Sequence, residues 1–580
     1  MAGPSEPVDD RLTAAAEAAG RWAMHDPDPV TRGQVDRLVD TEDPALIELF
    51  DGRVAFGTAG LRAAVGPGPN RMNALVVRQT TVGVVEWLRR RIDEPVVYIG
   101  YDARRDSSAF ARHAAAAVVA AGGRAVLADA AVPTPVVAHA LLANRASAAV
   151  VVTASHNPPG DNGYKLYVDD GRQIVPPVEH EIAAAIDAVV AGWPTHGPSV
   201  DDAYAGLGSD AISEIDAERW IAAHREDAVE AARRLGGDVA APVADAPVLV
   251  YTPLHGVGGA PTLAAFEEAG LRAPVVVESQ FAPDGSFPTV VFPNPEEPGA
   301  LDEAIATAEQ VGALAVIAQD PDADRLALAV RGRDGAPVAA LTGNELGVLL
   351  GDHLLRVAGS AASEALVARS VVSTRMLDAI AAHHGAACAV TLTGFKWLAR
   401  AADDFPERRW LFGFEEALGY CIGTHVRDKD GITAALVAAH LLAELDRSGL
   451  TVWDRLDELA ATVGVYESRP VTVRFDADPD RIGAVVADWT DHPPERLGPT
   501  VVAHAGPIGG GELPATDGVE LLGTDDTRVI VRPSGTEPKV KVYLEVFASI
   551  EGRDVDEARC EARARLDAVA TAVEERLGVG

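Results

Sequence analysis

The sequence predicts an α/β protein built from three similar mixed α/β domains and a C-terminal α+β domain around a central cleft. The chain has 580 residues, which corresponds to about four domains at roughly 150 residues each. From about residue 95, short apolar runs alternate with helical segments, a pattern typical of parallel βαβ units. Residues 456–580 instead contain strands with alternating polarity and one terminal helix at 554–576.

The predicted domain boundaries follow these changes of pattern. Residues 10–50 alternate apolar and charged positions at helical spacing, which predicts a helical extension. Ser107 and Ser108 are predicted to cap a helix that ends at Gly122 and Gly123. The predicted division is an N-terminal helical extension (1–50), α/β domains I (51–205), II (206–335) and III (336–455), and α+β domain IV (456–580).

Charge and composition exclude several classes of partner. The formal net charge is −36, whereas binding to a nucleic-acid backbone needs a basic face. The first ten residues are acidic and polar, and the most apolar stretch is interrupted by charges and prolines, so we expect neither a signal peptide nor a membrane span. Three scattered cysteines without C-x-x-C spacing are typical of a reducing cytoplasm. The oligomeric state is not readable from the sequence.

Lysine is rare and its positions are informative. Of the fifty basic residues five are lysine, and all five lie in segments that are predicted to be binding loops. A lysine ammonium is compact, and burial shifts its pKa readily. We expect three of them to be functional and Lys396 and Lys539 to be structural. The three are Lys165, Lys429 and Lys541.

The segment TASHNPPGDNGYKLY places Ser155 on a tight loop after an apolar strand. A serine there can be a nucleophile or carry a covalent group, and His156 or Lys165 can act as acid or base. The alternative is a Ser–His–Asn turn that satisfies its own backbone. No G-x-S-x-G motif is present, which disfavours a Ser–His–Asp hydrolase.

The segment DPDADR places Asp320, Asp322 and Asp324 at alternate positions of one loop. Two like charges about 4 Å apart cost roughly 4 kcal/mol at an effective dielectric constant of about 20, unless a cation lies among them. A hard divalent ion such as Mg²⁺ suits three carboxylates and can also take a phosphate oxygen. The later positions do not match an EF-hand, and the alternative is a solvated acidic turn.

Two further segments are suited to a sugar phosphate. RPSGTEPKVKVY combines hydroxyls, a permissive glycine backbone and two or three cations, which suits phosphate. An ordinary strand–turn–strand is the alternative. GFEEALG presents Glu415 and Glu416, which can hold two sugar hydroxyls but are also common at a solvated helix start.

Taken in order, these segments resemble the α-D-phosphohexomutase superfamily of phosphoglucomutases and phosphomannomutases. The resemblance runs from about residue 50 to the end and rests on FGTAGLR, IGYDARRDS, TASHNPPGDNGYK, DPDADR, GFEEALG, VRDKDG and RPSGTEPKVK. It implies interconversion of sugar 1-phosphates and 6-phosphates, with α-D-glucose 1-phosphate and glucose 6-phosphate expected first. It also implies an active-site phosphoserine, Mg²⁺, and a sugar bisphosphate of the glucose 1,6-bisphosphate type as activator and intermediate.

The resemblance implies a role for each matching residue. It places the phosphoserine at Ser155 and the metal ligands at Ser155, Asp320, Asp322 and Asp324. The residues implied in catalysis are Ser155, His156, Lys165, Arg62 and Arg325. Those implied in substrate binding are Thr393, Gly394, Glu415, Lys429, Arg532, Ser534, Gly535, Thr536 and Lys541.

One departure leaves the sugar open. Ala417 stands where many glucose-type mutases have serine, and the surrounding motifs look more like the branch that includes phosphopentomutases. Phosphomannomutase and phosphopentomutase activities therefore remain alternatives. A dehalogenase-type sugar phosphatase is disfavoured because Arg325 follows the aspartates where Thr or Val is required. A non-catalytic sugar-phosphate binder is disfavoured by the intact serine and metal loops.

Overall fold

A computed structural model describes residues 8–57, 60–206, 212–237, 246–475, 481–511, 513–534 and 539–578. The chain divides into two compact units. The first unit contains residues 1–230, 248–326 and 425–435. The second unit contains residues 231–247, 327–424 and 436–580. Among the described residues, no helix has the length and apolar character needed to cross a bilayer.

The first unit begins with three short helices around a small core of their own. Asp28 caps the second helix by accepting the backbone N–H of Val30 at 2.8 Å, and Pro29 occupies the first helical position, where its missing N–H costs nothing. Ala19, Val35 and Leu46 are buried where the helices meet. The helices are α1 (Val8–Ala23), α2 (Pro29–Asp40) and α3 (Ala45–Phe50).

A six-stranded mixed sheet follows, and its central strands are parallel. Its elements are β1 (Leu61–Ala64), α4 (Ala74–Arg89), β2 (Val96–Tyr101), α5 (Ser107–Ala120), β3 (Arg124–Ala128), α6 (Thr134–Asn144), β4 (Ala148–Val152), β5 (Asp161–Val168), α7 (Val178–Ala191), α8 (Trp193–Ala205), β6 (Ile212–Ile215) and the following α9 (Ala217–Gly236). The strand order is β1-β5-β4-β2-β3-β6, with β5 antiparallel to both β1 and β4. All five residues of β4 are buried and apolar, as expected of a parallel strand covered on both faces.

The start of α5 differs from the predicted serine cap. Ser107 is the first helical residue, and Asp106, with a φ of 69°, precedes it without a side-chain cap. The Ser107 hydroxyl instead donates to Asp102 Oδ1 at 2.7 Å, because the end of β2 brings that carboxylate next to the helix start.

A second sheet in the first unit supplies the acidic loop. Its elements are β7 (Leu249–Thr252), α10 (Gly259–Ala269), β8 (Val275–Val276), α11 (Glu278–Phe281), α12 (Asp302–Val311) and β9 (Ala315–Ala318). The strands run parallel in the order β9-β7-β8. The aspartate loop directly follows β9, and the Ser155 loop directly follows β4. Both loops therefore leave the carboxyl ends of parallel strands, where open α/β sheets bind ligands.

The second unit opens with a hairpin and a four-stranded mixed sheet. The elements are β10 (Ala327–Arg331), β11 (Val338–Ala340), α13 (Gly343–Ala358), β12 (Ala365–Ser370), α14 (Met376–His383), β13 (Ala387–Thr391), α15 (Phe395–Leu398), α16 (Ala401–Asp404), β14 (Arg409–Glu415) and β15 (Gly419–Ile422), then helices α17 (Gly431–Arg447) and α18 (Val452–Val463). The sheet order is β13-β12-β14-β15, and β15 is antiparallel to β14.

The C-terminal sheet is antiparallel and is covered by helices. Its elements are β16 (Val465–Arg474), α19 (Arg481–Asp491), β17 (Arg496–Leu497), β18 (Thr500–Gly506), β19 (Val519–Gly523), β20 (Arg528–Pro533), β21 (Lys539–Ala548) and α20 (Val555–Leu577). The strand order is β16-β21-β20-β19-β18-β17. Short 3₁₀ helices occur at Arg333–Gly335, Gly359–Glu364 and Ile508–Gly511. The predicted fold class, three mixed α/β domains and a C-terminal α+β domain, is confirmed.

The packing of α4 against α7 leads to a stability prediction. A Cβ on Gly83 would lie 2.7 Å from Ile186 Cα and 2.8 Å from Ile186 N, so the two helix backbones would have to separate. Gly83→Ala should lower the free energy of unfolding by about 1–3 kcal/mol, although alanine favours helices.

Gly33 of α2 is the matched control. A Cβ there meets no atom within 4 Å. Gly33→Ala should raise the free energy of unfolding by up to about 1 kcal/mol through helix propensity alone. Denaturant melts of both variants measure the contrast, and an equal gain in both would mean that the α4–α7 contact is not tight.

Candidate active site

Ser155 lies in a strained and buried position after β4. Its φ is 51°, in the left-handed region that a non-glycine residue adopts at a cost of about 1–3 kcal/mol. The Thr153 hydroxyl accepts the Ser155 backbone N–H at 2.8 Å. The Ser155 hydroxyl donates to Asp320 Oδ2 at 2.6 Å and lies 3.1 Å from His156 Nδ1. The strained backbone conformation thus directs the serine hydroxyl towards the aspartate loop.

Arg104 and Asp102 hold this turn, and the sequence analysis assigned neither of them a role. Asp102 Oδ2 accepts the Thr153 hydroxyl at 2.6 Å. The Arg104 guanidinium donates to four backbone carbonyls of the serine loop, at 2.5–3.1 Å: those of Ser155, Asn157, Pro158 and Asp161. The sequence signal for this contact was the polar DARRDS segment after β2. Because β2 and β4 are parallel neighbours, the segments that follow them leave the same edge of the sheet.

The three aspartates after β9 converge as the spacing predicts. Asp320, Asp322 and Asp324 are each at most 1% exposed, and one carboxylate oxygen from each lies within 4.8 Å of the others. A positive φ of 57° at Ala323 makes the turn that allows this. Thr134 also donates to Asp322 Oδ2, at 2.6 Å, and is a further contact that the sequence did not reveal.

Cations surround this carboxylate cluster. Lys165 of β5 places its Nζ 2.6 Å from Asp322 Oδ2 and 2.7 Å from Asp324 Oδ2. Burial lowers the pKa of Lys165, but the two carboxylates raise it more, so its net pKa lies above the ordinary value. Lys429 Nζ is 3.4 Å from Asp324 Oδ2, and Arg325 Nε is 3.9 Å from Asp324 Oδ1. Lys165 and Lys429 therefore both lie at the aspartate cluster.

The cluster retains acceptors suited to a metal ion. Asp322 Oδ1 and Asp324 Oδ1 are buried and have no hydrogen-bond partner within the described part of the chain. Burial, and then the two neighbouring carboxylates, raise the pKa of Asp320 well above its usual range. An oxygen-loving divalent cation would satisfy these acceptors and would have Ser155 Oγ beside it.

Arg62 and His156 complete the group in the first unit. Arg62 donates to Asn157 Oδ1 at 3.0 Å. Burial and then the nearby Arg325 lower the pKa of Arg62. Burial and the same arginine lower the pKa of His156 well below its usual value. Both side chains therefore lie close to Arg325, and the two arginines give this region positive charge that suits a dianionic phosphoryl group.

Several hydrogen-bonding groups lie close together in the second unit. The backbone N–H of Gly394, whose φ is 101°, donates to Glu415 Oε2 at 3.2 Å. Arg532 of β20 is hydrogen-bonded to the Thr393 hydroxyl. Glu416 is held differently, since its backbone N–H donates to Ser373 Oγ at 3.1 Å. These contacts thus form one polar surface, which consists of Thr393, Gly394, Glu415 and Arg532.

The basic segment at the β20–β21 turn presents two cations on one face. Arg532 and Lys541 are directly opposite each other across the antiparallel pair. Like charges in this position are destabilising unless an anion lies between them. The backbone N–H of Ser534 donates to the Lys539 carbonyl at 2.8 Å. Gly535 and Thr536 lie outside the described residues.

The predicted residues therefore form two groups. Within the first unit, Arg62, Ser155, His156, Lys165, Asp320, Asp322, Asp324, Arg325 and Lys429 are neighbours. Within the second unit, Thr393, Gly394, Glu415 and Arg532 are neighbours, with Lys541 beside Arg532. The first group combines a serine hydroxyl, a cluster of three carboxylates and several cations. The second combines a hydroxyl, a backbone N–H and a carboxylate with paired cations.

Four family models match the chain in order. Residues 53–191, 234–334 and 342–462 match the phosphoglucomutase/phosphomannomutase alpha/beta/alpha domains I, II and III. Residues 501–562 match the C-terminal domain of the same proteins. The chain belongs to the phosphoglucomutase/phosphomannomutase family, and it is a phosphomutase, an isomerase of the phosphotransferase type.

Individual relatives agree on this class and differ in their named sugar. A probable phosphomannomutase from Haemophilus influenzae is 38% identical over 495 residues, covering 84% of this chain and 96% of the relative. A phosphopentomutase from Pongo abelii is 32% identical over 604 residues, covering 96% and 95%. The crystal structure of a putative phosphomannomutase from Thermus thermophilus has a TM-score of 0.64 at 22% identity, covers 88% of this chain and 99% of that one, and shows the same fold.

The geometry of the aspartate cluster predicts the effect of removing one charge. Asp322→Asn keeps the size of the side chain but replaces its negatively charged carboxylate with a neutral amide. The affinity for Mg²⁺, measured by calorimetric titration, should fall by at least about tenfold. Asp302→Asn, on an exposed helix start, should leave the affinity unchanged. Equal affinities in the two variants would exclude the cluster as the metal site.

Proposed function

We propose that this phosphomutase interconverts α-D-glucose 1-phosphate and glucose 6-phosphate through a phosphoserine at Ser155. The observation that carries the proposal is the 2.6 Å contact between Ser155 Oγ and Asp320 in a cluster of three buried aspartates. A hydroxyl next to a carboxylate metal site and several cations is suited to carrying a phosphoryl group. Phosphoryl transfer depends on positioning and on neutralising charge more than on covalent machinery.

The proposed reaction has two transfers that balance. The bond between phosphorus and Ser155 Oγ breaks, and a bond to the free hydroxyl of the sugar monophosphate forms, while that hydroxyl loses its proton and Ser155 Oγ gains one. The resulting sugar bisphosphate reverses its orientation. Its other phosphoryl group then passes to Ser155 Oγ, which loses its proton, and the freed sugar oxygen gains one. A sugar bisphosphate of the glucose 1,6-bisphosphate type would therefore also activate unphosphorylated enzyme.

The side chains of the first unit have distinct proposed roles. His156 Nδ1, 3.1 Å from Ser155 Oγ, is placed to exchange a proton with the reacting oxygens. Lys165 supplies positive charge and fixes the positions of Asp322 and Asp324. Arg62 and Arg325 would hold the transferred phosphoryl group. Asp320, Asp322 and Asp324, with the phosphoserine, would hold Mg²⁺, which neutralises phosphoryl charge when it is bound.

The side chains of the second unit are proposed to bind the rest of the substrate. Arg532 and Lys541 form a paired cationic surface that would hold the phosphate that is not being transferred, together with Ser534, Gly535 and Thr536. Glu415, Thr393 and Gly394 would bind sugar hydroxyls. Lys429, whose ammonium group lies 3.4 Å from Asp324, is also proposed to contact the substrate.

Glucose is our first candidate because Glu415 and Glu416 keep the paired carboxylates of the glucose-type sugar loop. A pentose phosphate is the second candidate, and two observations favour it. Ala417 removes a serine hydroxyl from that loop, and the phosphopentomutase relative matches 96% of this chain. Mannose phosphate is supported by the Haemophilus influenzae relative.

We also propose a binding partner and a cellular location. The proposed partner is a small sugar phosphate, with no nucleic acid or membrane involved. A cytoplasmic location is supported by three scattered cysteines without C-x-x-C spacing, which is typical of a reducing compartment.

The phosphoserine is tested by Ser155→Ala. This change removes the oxygen that carries the phosphoryl group, and mutase turnover should fall by at least about 10³-fold. Incubation with glucose 1,6-bisphosphate should add about 80 Da to the unphosphorylated wild-type chain in intact mass spectra but not to the variant. Ser108→Ala is the matched control, because Ser108 is exposed on α5. Near-normal turnover in Ser155→Ala would refute the assignment.

The substrate is tested by initial rates with glucose, mannose and ribose 1-phosphates. Each is measured with and without Mg²⁺ and with the matching bisphosphate primer. We expect kcat/KM for glucose 1-phosphate to be the largest, because the sugar loop retains both glutamates. A larger value for ribose 1-phosphate would identify a phosphopentomutase, and release of inorganic phosphate without isomer formation would contradict a mutase.

A further inference from the structure

A second cluster of metal-type ligands lies in the first unit, apart from the aspartate loop in sequence and chemistry. His139 belongs to α6, His224 to α9, and His425 and Asp430 to the segment that leads into α17. All four side chains are at most 10% exposed. We propose that these four residues form a buried, imidazole-rich metal site that takes Zn²⁺.

The spacing of the three imidazoles fits a common centre. The ring centroids of His139, His224 and His425 are 5.6, 5.9 and 6.4 Å apart. Three imidazoles on a tetrahedral ion with bonds of about 2.0–2.1 Å have centroids roughly 5 Å apart. The rings therefore need to approach by about 0.6–1.4 Å in each pair, which rotation of the histidine side chains can provide.

The carboxylate position fits the same centre. Asp430 Oδ2 is 3.0 Å from His224 Nε2 and 3.3 Å from His425 Nε2. Adjacent ligand atoms on a tetrahedral ion with bonds of about 2.0–2.1 Å are roughly 3.3 Å apart. One ligand atom each from His224, His425 and Asp430 lies within 4.8 Å of the other two.

The surrounding hydrogen bonds orient two of the ligands. Asp430 Oδ1 accepts the backbone N–H groups of Ile432 and Thr433, which leaves Oδ2 directed to the histidines. His139 Nε2 lies 2.7 Å from Asp227 Oδ2 and, as the donor to that carboxylate, must carry its proton there. Metal-binding histidines commonly bond a carboxylate through their other nitrogen in this way.

A network of hydrogen bonds without a metal is the competing explanation. It accounts for Asp430, since His224 and the Thr433 hydroxyl both bond its Oδ2. It does not account for His139, whose Nδ1 is buried and has no hydrogen-bond partner among the residues described. An unpaired buried acceptor costs about 1–3 kcal/mol, and a metal ion would be its partner.

The chemical types of the four ligands favour Zn²⁺ over Mg²⁺. Three imidazoles and one carboxylate suit Zn²⁺ and related transition metals, whereas Mg²⁺ prefers ligands that are all oxygen. Four protein ligands leave no open position, which is typical of structural zinc. The ion would join α6 and α9 to the segment that carries Lys429, whose ammonium group lies 3.4 Å from Asp324. The proposal does not depend on the identity of the sugar or on the phosphoserine.

Metal binding to the wild-type chain is the first test. Protein stripped with a chelator is titrated with Co²⁺, which absorbs strongly in the visible region when it is tetrahedral. We expect about one tetrahedral Co²⁺ per chain, displaced by Zn²⁺ and not by excess Mg²⁺. Zn²⁺ should also raise the melting temperature. No tetrahedral absorption, or displacement by Mg²⁺, would overturn the proposal.

Variants then locate the ion. His224→Gln and His139→Gln should each weaken Co²⁺ binding by at least about tenfold. His180→Gln, at an exposed histidine, and Asp322→Asn, at the aspartate cluster, should keep the wild-type absorption of tetrahedral Co²⁺. Circular dichroism checks that each variant is folded. Equal binding by folded His224→Gln, or loss of binding in Asp322→Asn, would place the ion elsewhere and refute the site.

Discussion

The first unit depends on one electrostatic constraint, the burial of three carboxylates in a single loop. Asp320, Asp322 and Asp324 repel one another by roughly 4 kcal/mol per pair at about 4 Å if the effective dielectric constant is about 20. Cations from elsewhere in the chain must therefore pack against them. Lys165 arrives on β5 and Lys429 on the segment before α17. The same cluster accepts a hydrogen bond from the Ser155 hydroxyl, so this hydroxyl, the cations and the proposed metal site all depend on the charge of the three carboxylates.

The serine loop shows how the fold maintains a conformation that is locally unfavourable. Ser155 has a positive φ, and its loop carbonyls would lack partners if they were buried alone. Arg104 satisfies four of them, and Asp102 fixes Thr153, which in turn accepts the Ser155 N–H. Strain of this kind persists when the surroundings determine it from several sides. The position of the Ser155 hydroxyl is consequently fixed by the surrounding protein.

The second unit places two like charges opposite each other. Arg532 and Lys541 face each other across a strand pair, an arrangement that repels until an anion binds. Nearby, the Gly394 N–H donates to Glu415, and Arg532 donates to the Thr393 hydroxyl. The second unit thus combines paired cations with uncharged and acidic hydrogen-bonding groups. The net charge of −36 makes such a local basic surface necessary for any anionic substrate.

The fold class and the chemical character of the site were determined by the sequence alone. Apolar runs that end in TASHNP and DPDADR specified strands followed by functional loops, because strand periodicity and loop polarity are local properties. The four-domain class is confirmed, while the roles of the site residues and the domain boundaries remain predictions. Arg104, Thr134 and the His139–His224–His425–Asp430 cluster were decided by tertiary structure. Their partners are tens to hundreds of residues away, and no local pattern encodes which strand ends and helix faces will meet.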